Sequence, residues 1–131
     1  MNALRKLYKE LTSLHWEIGF LDNTFEGIVR GDKLKLTLVT HNFPNSWFAD
    51  PFILDVTDDT IIVLVEEVTK KISKGRISKL VIDRRNNYVI EKKVILERPG
   101  HLSFPIIYRK DDKIYVYPEN SEDGVLNIYE Y

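Results

Sequence analysis

The sequence predicts an all-β protein of blade-like antiparallel sheets with a short N-terminal helix, and three observations support this fold class. From Lys33 onward, short segments rich in Ile, Val, Tyr and Phe are each bounded by turn-forming residues. The first of these segments alternates apolar and polar residues strictly, as a half-buried strand does. Two stretches of the chain also match each other at a spacing of about fifty residues.

The N-terminal region, residues 1–32, is predicted to be a helical lead-in. Residues 2–14 carry apolar side chains at helical spacing with charges between them, which indicates a short amphipathic helix. The apolar positions are Leu4, Tyr8, Leu11 and Leu14. In residues 22–32, Asn23 is a candidate cap for a short helical turn that ends before Gly31.

The remainder of the chain is predicted to form strands connected by tight turns. Asp-Asp, Asn-Asn, Pro-Gly and Lys-Asp-Asp sequences separate the apolar segments, and these are turn-forming combinations. The predicted strands are residues 33–39, 51–56, 60–67, 75–84, 88–96, 104–110, 113–119 and 125–131.

Two stretches, beginning at Pro51 and Pro105, repeat the same features in the same order. Each has an apolar strand after the proline, an Asp-containing turn, a second strand that ends in Glu, a polar loop with Gly, and a third strand. The spacing is the length of a four-stranded propeller blade. We therefore predict one domain, with a first blade-like unit at residues 33–100 and a second, incomplete unit at residues 101–131.

The repeat places acidic residues at equivalent ends of equivalent strands. In an antiparallel hairpin the start of one strand and the end of the next lie at the same edge. Asp50 is therefore expected beside Glu67, and Ser103 beside Glu119. His101 precedes the same strand as Ser103, so these side chains are predicted to converge on one site.

Composition excludes several classes of function. The 131 residues carry a formal net charge of -1, which does not favour nucleic-acid binding. No apolar run reaches the roughly 18 residues of a membrane span, and no signal peptide is evident. The chain has no cysteine, which fits a reducing compartment, and we expect a cytoplasmic location. The three histidines lack metal-ligand spacing and there is no Gly-rich phosphate loop, so neither metal nor cofactor is predicted.

Several short motifs carry a resemblance to a known family. They are "WEIGF", "WFADPF", "VEE", "KGRIS", "HLSFP" and "YPENS", and they extend from Trp16 almost to the C-terminus. The chain resembles the five-bladed β-propeller domain of bacterial polysaccharide-locus proteins. A similar domain precedes the glycosyltransferase module of plant glucosamine inositolphosphorylceramide transferases. More distantly, the chain is similar to the five-bladed propellers of family-43-type glycosidases, invertases and levansucrases.

The resemblance implies a carbohydrate-related role and gives the candidate residues their functions. Asp50 matches the general base of family-43-type glycosidases, and Asp50 with Glu119 is the catalytic pair that this chain could supply. The candidate substrate-binding residues are Trp47, Glu67, His101, Ser103 and Asn120. Structural alternatives stay open for several of them. These are a turn at Asp50, an ion pair between Glu67 and Arg76, a turn cluster around Glu119, and a core position for Trp47.

Five blades would need roughly 250 residues, whereas this chain has enough for about two. We therefore expect self-association or a missing remainder of the propeller, with a carbohydrate or glycoconjugate as the ligand. Three functions remain at this point. The first is an accessory sugar-binding module of a glycosyltransferase-type protein in polysaccharide or glycoconjugate biosynthesis. The others are a glycosidase-like enzyme, and a structural or oligomerisation module without sugar chemistry.

Overall fold

Three antiparallel sheets make up most of the protein. The computed structural model describes residues 16–131, and the predicted helix at residues 2–14 lies outside them. The strands are β1 (Gly19–Leu21), β2 (Leu36–Leu38), β3 (Ser46–Val56), β4 (Thr60–Thr69), β5 (Arg76–Asp83), β6 (Tyr88–Leu96), β7 (Ser103–Lys110), β8 (Lys113–Glu119) and β9 (Tyr129–Glu130). Helix α1 (Phe25–Arg30) lies between β1 and β2, and a 3-10 turn covers Ser121–Asp123.

Strand order follows chain order within each sheet. Strands β1 and β2 form a two-stranded ribbon, β3 to β6 form a four-stranded meander, and β7 to β9 form a three-stranded sheet. All pairings within these sheets are antiparallel. The predicted all-β, blade-like fold is thereby confirmed.

Four local predictions need correction. Strand β3 begins at Ser46 rather than at Pro51, so Asp50 lies inside the strand. Strand β2 is shorter than the predicted 33–39, and β9 covers only two of the residues predicted at 125–131. Strand β9 pairs with β8 only at Tyr115 and Val116. Helix α1 is capped by Thr24, whose side chain accepts from the Gly27 N–H. Asn23 instead bonds to the backbone of the following loop.

Apolar side chains cover both faces of the four-stranded sheet. One face packs against the N-terminal segment, with a core of Ile18, Val39, Phe48, Val63, Val65, Leu80, Ile82 and Val89. The other face packs against the three-stranded sheet, with a core of Leu54, Leu64, Ile77, Leu102 and Val116. The start of β7 is thereby held against β3 and β4.

Strand β3 contains a β-bulge at the Asp50-Pro51 step. Ala49 pairs with Glu66 and Phe52 pairs with Leu64, so two residues of β3 oppose only one of β4. Asp50 takes a φ of 49°, in the left-handed region that Asp tolerates better than most residues.

Strand β7 repeats this bulge at the Phe104-Pro105 step. Ser103 pairs with Glu119 and Ile106 with Tyr117, so two residues again oppose one. Phe104 has a φ of 44°, which is strained for a bulky residue and is typical of functional sites. The two prolines that align in sequence therefore occupy the same backbone feature.

Candidate functional site

A cleft of about 860 Å³ lies where the N-terminal segment meets β3, the end of β4 and the start of β7. Its walls carry three large aromatic side chains, Trp16, Trp47 and Phe104. Its acidic residues are Glu17, Asp50 and Glu66. The remaining lining residues are Ile18, Gly19, Ala49, Pro51 and Val68, so no lysine or arginine of the described chain lines the cleft.

Glu66 and Asp50 form a carboxyl pair in this cleft. Glu66 is only 9% exposed, and burial is the main reason that its pKa rises to about 7. A hydrogen bond to Asp50, the charge of Asp50 and the charge of Glu119 raise the pKa further. Glu66 therefore keeps its proton up to near-neutral pH, unlike an ordinary surface glutamate.

His101 holds Glu66 from the other side. The Gly75 N–H donates to His101 Nδ1 at 3.0 Å, and His101 Nε2 lies 3.1 Å from Glu66 Oε1. A backbone N–H can only donate, so Nδ1 must be the acceptor and the proton of the neutral ring lies on Nε2. In this tautomer the Nε2 proton is on the side of the ring that contacts Glu66, so the imidazole packs against the Glu66 carboxyl group.

This arrangement requires glycine at position 75, because the surrounding atoms leave no room for a side chain there. A Cβ atom on Gly75 would lie 2.3 Å from the Leu102 carbonyl oxygen and 2.6 Å from Glu66 Oε1. We expect Gly75→Ala to displace Glu66 and to lower the free energy of unfolding by about 1–3 kcal/mol, as overpacking does. The readouts are chemical denaturation and the chemical shift of the His101 ring. Gly124→Ala is the control for the His101 signal and should leave it in place, because its Cβ meets nothing within 4 Å; its positive φ of 64° adds a backbone strain of about 1–2 kcal/mol. An unchanged His101 signal in Gly75→Ala would contradict this account.

Glu67 lies on the opposite face of β4 and is fully buried in an ion-pair network. Its carboxylate accepts from Ser46 Oγ at 2.8 Å, Arg76 Nε at 3.2 Å and Ser78 Oγ at 2.5 Å, and it also bonds to Lys92 Nζ. Burial alone would raise the pKa of Glu67, but the hydrogen bonds from these four side chains lower it to about 2. The ion pair with Arg76 that the sequence left open is present.

The expectation that Asp50 neighbours Glu67 is wrong. Glu67 pairs with Phe48, whereas Glu66 pairs with Ala49 and lies on the same face as Asp50. An uninterrupted ladder continued from the Val56–Ile61 pair would set Asp50 opposite Glu67. Two one-residue register shifts intervene, one between Asp55 and Ile53 and one between Phe52 and Ala49. Neither glutamate faces solvent. A sugar-binding role for Glu67 stays a prediction, whereas Glu66 is the glutamate that lines the cleft.

The other predicted residues divide into two groups. Ser103 pairs directly with Glu119, as expected, and Trp47 lines the cleft. Asn120 lies apart and is 7% exposed, with its Nδ2 donating to Asp123 Oδ2 at 2.5 Å. Asn120 Oδ1 has no hydrogen-bond partner among the described residues.

Sequence reasoning missed Trp16, Glu17, Glu66 and Phe104 as members of the site. One signal was available for two of them. Strands β3 and β7 both carry an X-Pro step at the same place in the repeat. A bulge predicted at this step would have indicated that Glu66 and Phe104 line the cleft. Trp16 and Glu17 reach the cleft through tertiary packing alone.

Across residues 16–131 no group of three His, Asp or Glu side chains is arranged to hold a metal ion. The helices in that range are too short to cross a membrane.

The fold and the cleft define a class of protein, an antiparallel β-sheet domain with an aromatic-walled, carboxyl-lined cleft. Residues 35–131 match one protein family, described as "Glucosamine inositolphosphorylceramide transferase 1, N-terminal", and the chain belongs to that family.

Named relatives come from plants. The chain is 30% identical over 86 residues to glucosamine inositolphosphorylceramide transferase 1 of Arabidopsis thaliana, a match that covers 66% of this chain and 11% of the relative. The protein of the same name in Oryza sativa subsp. indica is 27% identical over 88 residues, with 12% of its length covered. The chain therefore spans about an eighth or less of these relatives. No solved structure is significantly similar to it.

Proposed function

We propose that this protein is an accessory sugar-binding module that serves glycoconjugate biosynthesis by a glycosyltransferase-type protein, and that the sugar binds in the cleft. The observation that carries the proposal is the placement of Trp16, Trp47 and Phe104 around the carboxyl pair of Asp50 and Glu66. Membership in the transferase N-terminal family supports the biosynthetic context.

The two kinds of side chain suit the two surfaces of a sugar ring. Aromatic rings offer flat apolar area, and Trp16 and Phe104 are 66% and 48% exposed, so this area is open to a ligand. Carboxyl oxygens accept hydrogen bonds from hydroxyl groups, and the Asp50–Glu66 pair presents several such oxygens beside its shared proton. Concave sites with apolar walls and a few convergent polar groups are typical of small-ligand binding.

Trp16→Ala tests the proposal with little risk to the fold, because Trp16 is largely exposed. We expect about a tenfold loss of affinity for a bound neutral glycan, since one stacking surface is removed. Titration calorimetry gives the affinity, and a thermal melt should be unchanged. Phe25→Ala is the matched control, because Phe25 is also a largely exposed aromatic residue but does not line the cleft. Equal affinities for both variants would place the ligand elsewhere.

A glycosidase-like reaction is the second candidate, with Asp50 as general base and a glutamate as general acid. The protonated state of Glu66 near neutral pH favours it, because a general acid needs such a pKa. However, Asp50 and Glu66 are hydrogen-bonded to each other, whereas the carboxyls of glycosidases lie about 5–10 Å apart across the bond. The binding function therefore comes first. The test is release of the chromophore from a panel of aryl glycosides. Release by the wild type that is abolished in Asp50→Asn would favour the glycosidase-like reaction over binding alone.

We also propose that the two larger sheets are blades of a propeller and that a third sheet of the same kind covers the second one. The first sheet presents Leu54, Ile62 and Leu64 to the aliphatic face of the second. Aligning the two bulges places Tyr108, Tyr115 and Tyr117 at the matching positions of the second sheet. Tyr108 is 51% exposed, so this equivalent face is open.

Light scattering across a range of protein concentrations tests the open tyrosine face. We expect concentration-dependent association, because exposed apolar sheet faces are docking surfaces. Tyr108→Arg should suppress the association. Ile90→Arg, at an exposed site on β6 in the other sheet, is the control and should not. A strict monomer at every concentration would contradict the incomplete-propeller proposal.

A further inference from the structure

We infer, on the basis of the proposed sugar-binding function, that the cleft takes an uncharged glycosyl group and excludes phosphate-bearing nucleotide sugars. The module would thereby bind the acceptor glycan or product of a glycosyltransferase reaction rather than its activated donor. Three observations carry this inference: the charges of the lining residues, the engagement of the nearby cations, and the hydrogen-bonding capacity of the carboxyl pair.

The ionisable groups that line the cleft are all carboxyl groups. Glu17, Asp50 and Glu66 line it, and Glu119 is close enough for its charge to raise the pKa of Glu66. Two carboxyl groups already compete for one proton at the floor of the cleft. One carboxyl group already keeps its proton here, because a second negative charge is unfavourable. A diphosphate bound at this floor would add more negative charge.

Two cations close to the site in sequence are engaged elsewhere, and Lys70 and Lys71, which follow the lining residue Val68, do not line the cleft. Lys74 bonds to the Pro99 carbonyl oxygen and lies 3.5 Å from Glu122. Arg76 is on the opposite face of the sheet, where it pairs with Glu67 and Glu97. Proteins bind phosphate groups with arginine forks, lysines, glycine-rich loops or helix N-termini. None of these lines the cleft in the described part of the chain.

The carboxyl pair instead suits hydroxyl groups. Asp50 and Glu66 share one proton in their mutual hydrogen bond, and the remaining oxygens of both carboxyl groups are acceptors. His101 lies against the Glu66 carboxyl group, with Nε2 3.1 Å from Oε1. Acceptor oxygens side by side match neighbouring hydroxyls of a neutral pyranose, each of which can donate.

Matched pairs of probes test this charge selection. The methyl glycosides of glucose, galactose and mannose are each compared with UDP-glucose, UDP-galactose and GDP-mannose, by titration calorimetry and by competition. We expect at least one methyl glycoside to bind, and its nucleotide sugar to bind at least tenfold more weakly at low salt. The exclusion should weaken as salt screens the charges.

The outcomes separate the inference from the proposed function. Nucleotide sugars that bind more tightly than the methyl glycosides would overturn the charge selection and leave sugar binding intact. Failure of every probe to bind would overturn both. Glu17→Lys should raise the affinity for the nucleotide sugars severalfold, because it replaces a cleft carboxylate by a cation. Glu26→Lys, the control on helix α1 outside the cleft, should not, and equal effects of the two variants would count against the inference.

Discussion

Replacing Glu67 by glutamine is expected to lower the free energy of unfolding by about 3–5 kcal/mol, which is the usual cost of breaking a buried ion pair from one side. Glu67 is 0% exposed, and its removal leaves Lys92 and Arg76 without their shared partner. Chemical denaturation measures the loss. Glu97→Gln is the control, because Glu97 pairs with the same arginine but is half exposed, and it should cost less than about 1 kcal/mol.

The same network gives stability a defined dependence on pH. The pKa of Glu67 is lowered to about 2 in the folded state from an ordinary value of 4.5. Its contribution is therefore complete above about pH 4.5 and is lost as the pH falls toward 2. Unfolding free energies measured between pH 2 and 6 should show this decline in the wild type and a shallower one in Glu67→Gln. If the two proteins lost equal unfolding free energy between pH 6 and 2, the assignment of this pH dependence to Glu67 would be wrong.

Asp50→Asn is expected to reduce glycan affinity at least tenfold and to lower the pKa of Glu66. Asparagine keeps the shape of the side chain and tolerates the left-handed φ of 49°, so the bulge should persist. The pKa of Glu66 should fall but stay above its ordinary value, because burial, its largest cause, remains. A carbon-detected titration of the Glu66 carboxyl gives the pKa. Asp59→Asn, in an exposed turn away from the cleft, should change neither quantity.

A raised carboxyl pKa also lowers stability as the pH rises. Below about pH 4.5, Glu66 is protonated in both the folded and the unfolded chain. Above that pH the unfolded chain releases this proton more readily than the folded chain, and this favours unfolding. Its contribution to stability therefore declines as the pH rises from about 4.5 through 7. Asp50→Asn should make this decline shallower. A Glu66 pKa that does not move in the variant would show that the two carboxyls are not coupled.

Most of the fold could be predicted from the sequence, because its signals are local. The strands from β3 to β8 follow from apolar segments and the turn residues between them. The short β9 could not be predicted in this way, because the ends of a strand depend on its pairing with a neighbouring strand, and β9 pairs with β8 at two positions only. The cap of α1 was assigned to Asn23 rather than Thr24 because adjacent residues with equal capping ability are not distinguished by pattern.

The candidate site could be predicted only in part. The repeat correctly placed Ser103 beside Glu119, whereas Asp50 lies inside β3 and not before its first residue. The exchange of Glu66 for Glu67 follows from two one-residue register shifts in β3, which period-two reasoning does not include. Trp16 enters the cleft because the N-terminal segment packs across the sheet, and that packing is a long-range feature.

The central claim is that the cleft binds a sugar, and the indole signals of tryptophan test it most directly. The chain has two tryptophans, Trp16 and Trp47, and both line the cleft. We would record nitrogen-15 indole resonances while titrating the protein with a panel of neutral mono- and disaccharides. The account predicts that at least one sugar shifts both resonances to saturation in the wild type and not in Asp50→Asn. Folded protein whose indole resonances stay fixed with every sugar would contradict it.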